Sequence, residues 1–169
     1  MRKNLVLLGM MSVGKTTIGK IVAKKQGLEF VDTDTNIEKK CSMKISEIFM
    51  KKGEKFFRIE EEKEVLKSLT KNNCVIALGG GAFVNESIRN SILKNAISMW
   101  LDNDLVTLNK RIKWNKKRPL LNEKNNQKKI SQLYSERKNI YKLANHRINC
   151  DNLIKEDVAK KIITFYDKY

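Results

Sequence analysis

Near its start the chain reads Asn4-Leu-Val-Leu-Leu-Gly-Met-Met-Ser-Val-Gly-Lys-Thr16, and this stretch decides the fold. Residues 4–8 form a short apolar run, typical of a buried strand. Residues 9–16 fit the pattern G-x-x-x-x-G-K-[ST]. A helical apolar stripe and a helix-ending Gly27 follow. Strand, loop and helix in this order predict a phosphate-binding loop (P-loop), whose backbone amides face a nucleotide at the helix N-terminus.

The side chains of this loop have separate tasks. Lys15 is a candidate catalytic residue, because its charge can reach the outer phosphates, and the Thr16 hydroxyl is a candidate magnesium ligand. Asp32 ends the predicted second strand and is a second candidate ligand, since ligands gather at the carboxyl ends of parallel strands. Capping of the next helix is the alternative role for Asp32. The residues predicted to contact the nucleotide are Gly9, Met10, Met11, Ser12, Val13, Gly14, Lys15, Thr16 and Thr17.

Strand-like and helix-like segments alternate along the chain, which predicts an α/β protein with a five-stranded parallel sheet flanked by helices. We expect residues 1–169 to form a single domain. Between residues 113 and 126 the apolar periodicity disappears, and this stretch holds the only proline, Pro119. Since helical patterns flank it on both sides, we expect a mobile lid there rather than a domain boundary.

Acidic and basic side chains suggest a second binding site beside the nucleotide. In an extended segment, Asp32-Thr-Asp34 would direct both carboxylates the same way, one toward a metal and one toward substrate hydroxyls. Arg58 and Glu61 share a helix face, so the arginine can bind an acceptor carboxylate while Glu61 orients it. An ordinary surface ion pair is the alternative for these two residues. Gly79-Gly-Gly81 offers closely spaced amides, or simply a tight turn.

Together these motifs resemble the shikimate kinase family over nearly the whole chain. The matching segments are the P-loop at 9–16, the paired aspartates Asp32 and Asp34, F-R-x-x-E at Phe57, Arg58 and Glu61, the triple glycine at 79–81, R-P-L-L at 118–121, and Y-x-E-R-x-x-x-Y at Tyr134, Glu136, Arg137 and Tyr141. Ser12 departs from the family pattern, which usually has glycine or another small residue there.

The resemblance implies a P-loop fold of the nucleoside-monophosphate-kinase type. It also implies transfer of the terminal phosphate of ATP to the 3-hydroxyl of shikimate, with one magnesium ion, in the chorismate pathway to the aromatic amino acids. The catalytic residues would be Lys15, Asp34 and Arg118, with Arg111 and Arg118 also holding the nucleotide. The residues that would bind shikimate are Asp34, Phe49, Phe57, Arg58, Glu61, Gly79, Gly80, Gly81 and Arg137.

Two other function classes stay open at this level. A gluconate or nucleotide kinase would share the nucleotide end and differ at the acceptor residues. A nucleic-acid-binding ATPase is suggested by the net charge of +16, although the lysines are scattered along the chain and form no basic tail.

Composition limits the setting in which the protein works. No apolar run approaches the length of a membrane span, and the first predicted strand begins at Asn4, so we expect a cytoplasmic protein without a targeting segment. The three cysteines are far apart, which does not favour a zinc site. Nothing in the pattern requires more than a monomer.

Overall fold

The computed structural model describes residues 2–114 and 123–169, and the side chains of residues 113–126 are outside that description. Its elements in chain order are β1 (Asn4–Leu8), α1 (Lys15–Gln26), β2 (Glu29–Asp32), α2 (Thr33–Cys41), α3 (Ile45–Leu69), β3 (Cys74–Ala77), a 3-10 turn (Ala82–Val84), α4 (Glu86–Asn95), β4 (Ala96–Asp102), α5 (Leu105–Trp114), α6 (Glu123–Tyr141), β5 (His146–Asn149) and α7 (Lys155–Tyr166). Arg118 and most of the predicted lid lie outside the described residues.

The sheet has five parallel strands in the order β2-β3-β1-β4-β5, which confirms the predicted architecture. From β1 the chain passes to β2 at one edge of the sheet, returns with β3 between β2 and β1, and then crosses to the other side with β4 and β5. At such a switch point, the loops that follow neighbouring strands separate and leave a crevice at the carboxyl end of the sheet. The P-loop follows β1 and therefore opens into this crevice.

Every residue of β1 is buried, as is every residue of β3 and β4. This burial explains why these strands are continuous apolar runs and not alternating ones: helices cover the sheet on both faces. α1 packs against α7, and α3 packs against α4. This packing on both faces fixes the positions of the central strands, and therefore the points at which the loops after them begin.

α3 is interrupted at Gly53, whose φ of 81° and ψ of 166° leave the helical region. Glycine adopts such a conformation without the steric cost of a side chain, so α3 consists of two helical parts that meet at Gly53. α3 packs with α2 through a small apolar cluster of Ile37, Ile48 and Phe57, in which Ile48 comes from before the break and Phe57 from after it. α2 and α3 thus form a small unit that stands beside the crevice.

The segment after β2 differs from expectation. An extended Asp32-Thr-Asp34 was predicted, and this prediction is wrong, because β2 ends at Asp32 and α2 begins at Thr33. Asp32 is the N-cap of α2, and its side chain accepts a hydrogen bond from the backbone N–H of Thr35. An N-capping aspartate followed by an acid in the first turn is a helix-start signal. That signal, together with the burial of Ile37, outweighs the period-two pattern.

Candidate active site

The P-loop encloses the side chain of Lys15. Its ammonium donates hydrogen bonds to the carbonyls of Gly9 at 2.8 Å and Met10 at 2.9 Å. Gly9 has a φ of 137°, and a methyl group built on it would lie 2.4 Å from the carbonyl oxygen of Leu101. No other residue fits there, so the loop can pass this close to β4 only with glycine at position 9.

The metal-binding candidates are in direct contact. The Thr16 hydroxyl donates to one carboxylate oxygen of Asp32 at 2.7 Å, and the other oxygen caps α2. Both roles considered for Asp32 are therefore compatible. A hydroxyl and a carboxylate are oxygen ligands of the kind that Mg²⁺ prefers, and Mg²⁺ typically uses one or two of them beside the phosphates of its substrate. The donor set fits a magnesium–nucleotide complex.

A cleft of about 1700 Å³ runs from the P-loop to the predicted acceptor residues. Its lining includes the predicted site residues Met11, Ser12, Val13, Gly14, Lys15, Thr16, Thr17, Asp32, Asp34, Phe49, Phe57, Arg58, Glu61, Gly79, Gly80, Gly81, Arg111 and Arg137. Gly9 and Met10 do not line it; the Met10 side chain is in the core, 2% exposed, and both residues act through the carbonyls that hold Lys15. Two predicted binding regions are thus one continuous space.

Two carboxylates of α3 hold the Arg58 side chain at this cleft. One guanidinium nitrogen donates to Glu61 at 2.7 Å, and two others contact Glu54. Burial opposes the charge of Arg58, but these carboxylates raise its pKa above the ordinary value. Glu61 is buried, so the pair is not the ordinary surface ion pair that the sequence left open.

The triple glycine is where the acceptor residues converge. A methyl group on Gly79 would lie 2.6 Å from a carboxylate oxygen of Asp34 and 2.7 Å from one of Glu61. On Gly81 it would lie 2.7 Å from the guanidinium of Arg58. These distances are shorter than side-chain contacts allow, so the segment is not merely a tight turn. Its bare backbone makes room for two carboxylates and a guanidinium.

Arg137 reaches the same place from α6. Its guanidinium lies 3.6 Å from the position that a methyl group on Gly80 would take. Arg58 and Arg137 therefore approach the triple glycine from two different helices. Phe49 and Phe57 stack with ring centroids 4.8 Å apart, forming an apolar wall of the same cleft.

At the nucleotide end, the guanidinium of Arg111 donates to the carbonyl of Val13 at 3.0 Å and to the side chain of Asn103 at 3.2 Å. The first contact joins α5 to the P-loop. It places a planar cationic group at the edge of the nucleotide half of the cleft, where stacking on a base is possible.

Two hydroxyl groups that organise the triple glycine were not predicted. Thr33 accepts from the backbone N–H of Gly79 and donates to the carbonyl of Ala77, each at 3.2 Å. Tyr141 donates to the carbonyl of Gly80. Tyr141 belongs to the Y-x-E-R-x-x-x-Y motif, so the sequence contained a signal for it. Thr33 belongs to none of the motifs, so the sequence contained no signal for it.

A parallel sheet of this order, with a P-loop at its switch point and an acceptor pocket in the same cleft, defines the class of P-loop small-molecule kinases. The family model for shikimate kinase matches residues 11–167. The chain belongs to the shikimate kinase family, whose members are ATP-dependent phosphotransferases.

Individual relatives support this assignment. A shikimate kinase from Sulfurihydrogenibium sp. is 43% identical over 162 residues, covering 96% of each chain. The structure of a shikimate kinase from Acinetobacter baumannii in complex with shikimate has a TM-score of 0.93 at 31% identity, covering 99% of this chain and 94% of that one. A gluconokinase from Sinorhizobium meliloti 1021, with a TM-score of 0.64 at 11% identity over 99% and 94% of the two chains, shares the fold alone. Within the described residues, no helix is long and apolar enough to cross a membrane.

Proposed function

We propose that the protein transfers the terminal phosphate of magnesium-bound ATP to the 3-hydroxyl of shikimate, giving shikimate 3-phosphate and ADP. The observation that carries this proposal is the single cleft that joins the P-loop to Asp34, Arg58 and Arg137. Shikimate is a small ring with one carboxylate and several hydroxyls. Two arginines, one aspartate and an apolar wall are complementary to such a molecule.

In the acceptor half of the cleft, cationic, anionic and apolar side chains would bind different parts of shikimate. Arg58 and Arg137 hold the carboxylate of shikimate from two helices, and charge-assisted hydrogen bonds of this kind are among the stronger ones in proteins. Asp34 accepts hydrogen bonds from the ring hydroxyls. Phe49 and Phe57 cover the apolar face of the ring. Glu61 does not touch the substrate in this scheme; it fixes the orientation of Arg58.

The nucleotide half would hold the phosphates with the P-loop amides and Lys15. Lys15 exchanges its contacts with the carbonyls of Gly9 and Met10 for phosphate oxygens. Thr16 and Asp32 hold Mg²⁺, which supplies positive charge beside the phosphates. Arg111 packs on the adenine ring. Arg118 is proposed to place its positive charge beside the transferred phosphoryl group. This role is proposed from the sequence motif alone, because Arg118 lies outside the described part of the chain.

In the reaction, the 3-hydroxyl oxygen forms a bond to the γ-phosphorus, and the bond from that phosphorus to the bridging oxygen of ADP breaks. The hydroxyl proton passes to the carboxylate of Asp34, and ADP leaves with the bridging oxygen. Positioning and positive charge account for most of the rate enhancement in phosphoryl transfer, since the protein has little covalent work to do. The protein would act as a monomer, since one chain supplies both halves of the cleft.

ADP release, measured in a coupled assay with and without shikimate, tests this proposal. We expect strong stimulation by shikimate and none by gluconate, nucleoside monophosphates or duplex DNA. A folded, ATP-binding sample that shikimate does not stimulate would overturn the acceptor assignment. Stimulation by DNA alone would favour a nucleic-acid-dependent ATPase, which the net charge of +16 left open.

A further inference from the structure

Two neighbouring polar residues at the end of β4 have no role in the proposed reaction, yet both are almost fully buried. Asp102 is 4% exposed and Asn103 is 1% exposed. One carboxylate oxygen of Asp102 accepts from the hydroxyl of Tyr134 at 3.0 Å, and the other accepts from the guanidinium of Arg147 at 2.9 Å. A buried carboxylate is costly unless it is paired and hydrogen-bonded, and Asp102 is both.

Tyr134 ties this carboxylate to the helix that carries Arg137. Tyr134 and Arg137 are three residues apart on α6, so they share one side of the helix. Tyr141 lies four residues after Arg137 and donates to the carbonyl of Gly80. Arg137 therefore lies between two tyrosines of α6. Their hydroxyls form hydrogen bonds near the carboxyl ends of two different strands, and these two hydrogen bonds are the anchors of α6.

The two anchors reach the sheet on either side of β1. Gly80 follows β3, and Asp102 ends β4, the two strands that flank β1. Arg147 completes the second anchor from β5, with its guanidinium 5.1 Å from the centre of the Trp100 ring. Burial and the charge of Asp102 raise the pKa of Tyr134 to about 12, so its hydroxyl remains a hydrogen-bond donor at neutral pH. The hydrogen bond to Asp102 needs this proton, so deprotonation of Tyr134 does not break it at neutral pH.

We propose that Asp102 and Tyr134 are positioning residues for substrate affinity: their hydrogen bond fixes α6 so that Arg137 stands over Gly80 and meets the carboxylate of shikimate. This inference rests on the proposed function, in which Arg137 binds that carboxylate. Neither residue touches the substrate. Loss of the hydrogen bond lets α6 shift, and a guanidinium displaced from its position weakens acceptor binding more than it slows the chemical step.

Tyr134→Phe is the decisive variant, because it removes the hydroxyl and keeps the ring. We expect the KM for shikimate to rise about fivefold, with kcat and the KM for ATP within about twofold of the unchanged protein. Tyr169→Phe is the matched control, since it also removes one hydroxyl, but this hydroxyl contacts His146 and not Asp102. Asn103→Ala should give the reverse pattern, a raised KM for ATP, because Asn103 contacts Arg111 instead.

A double variant separates this inference from the assignment on which it rests. Arg137→Ala should raise the KM for shikimate, and adding Tyr134→Phe should raise it no further, because the tyrosine acts only through the arginine. A normal KM in Arg137→Ala would overturn the role of Arg137 in the proposed function. A raised KM there, with no effect of Tyr134→Phe or with effects that multiply in the double variant, would overturn the positioning role alone. If Asp102→Asn folds, its KM for shikimate gives a second measurement of the same effect. If it does not fold, the tyrosine variants decide.

Discussion

The guanidinium of Arg58 lies 2.7 Å from the carboxylate of Glu61, and 34% of the arginine side chain is exposed against only 2% of the glutamate. The two residues are one turn apart on α3. The Glu61 carboxylate is buried and contacts the Arg58 guanidinium from the protein side, and the guanidinium faces the cleft. A buried carboxylate contributes little net stability by itself. In the proposed function, Glu61 contributes orientation: it holds the planar guanidinium of Arg58 toward the carboxylate of the substrate.

Replacing Arg58 with alanine removes that fork. We expect the KM for shikimate to rise at least tenfold, because hydrogen bonds between charged groups contribute about 1.5–3 kcal/mol each. The KM for ATP should stay within about twofold. Steady-state kinetics with each substrate varied in turn measures both constants. Lys63→Ala, on the same helix but paired with Glu60, is the matched control, and a normal shikimate KM in Arg58→Ala would refute the clamp.

Glu61 gives a prediction about pH. Burial raises the pKa of Glu61 above its ordinary value of 4.5, because Arg58 only partly offsets the lost hydration. Between 4.5 and the raised pKa, the folded protein binds more protons than the unfolded chain, so acidification through this window favours folding. The free energy of unfolding of the unchanged protein should therefore rise, relative to that of Glu61→Gln, as the pH falls from the raised pKa toward the ordinary value of 4.5.

Urea unfolding of both proteins at several pH values in this window checks the difference. Glu54→Gln controls for the loss of a carboxylate beside Arg58, because Glu54 contacts the same guanidinium but is 65% exposed. A difference that stays constant or shrinks on acidification would show that the Glu61 carboxylate is stabilised by its surroundings.

Asp34→Asn should abolish most of the turnover. The amide keeps the shape of the side chain but cannot accept the hydroxyl proton, and loss of a general base typically lowers kcat by about a hundredfold or more. Thermal unfolding should be little changed, since the amide occupies the same space as the carboxylate. The measurement is kcat at saturating ATP and shikimate. Asp167→Asn, whose carboxylate pairs with Arg2 at the chain end, should retain full turnover.

Ser12 occupies a backbone conformation that favours glycine. Its φ is 63°, in the left-handed region, where a residue with a Cβ is disfavoured by about 1 kcal/mol or more. Ser12→Gly should therefore stabilise the protein by about 0.5 kcal/mol, once the greater freedom of glycine in the unfolded chain is subtracted. Ser91→Gly within α4 should instead destabilise it by about 0.5 kcal/mol. Chemical denaturation of the two variants should show opposite signs, and equal signs would contradict the strain at Ser12.

Local signals carried most of the predicted fold. The P-loop and the parallel sheet each follow from residues that are close together in the chain. α2 was missed because Asp32-Thr-Asp34 satisfies both a strand period and a helix start, and the choice depends on packing of Ile37. The contacts of Tyr134 with Asp102 and of Thr33 with Gly79 join residues 32 and 46 positions apart, and no spacing rule predicts them.

The triple glycine also limits how the protein can change over time. Any side chain at position 79 or 81 would collide with Asp34, Glu61 or Arg58 at distances below 3 Å. An inhibitor that makes its main contacts with this stretch of backbone therefore leaves few routes to resistance. A substitution there that excludes the inhibitor would also displace side chains that the proposed function assigns to the binding of the substrate.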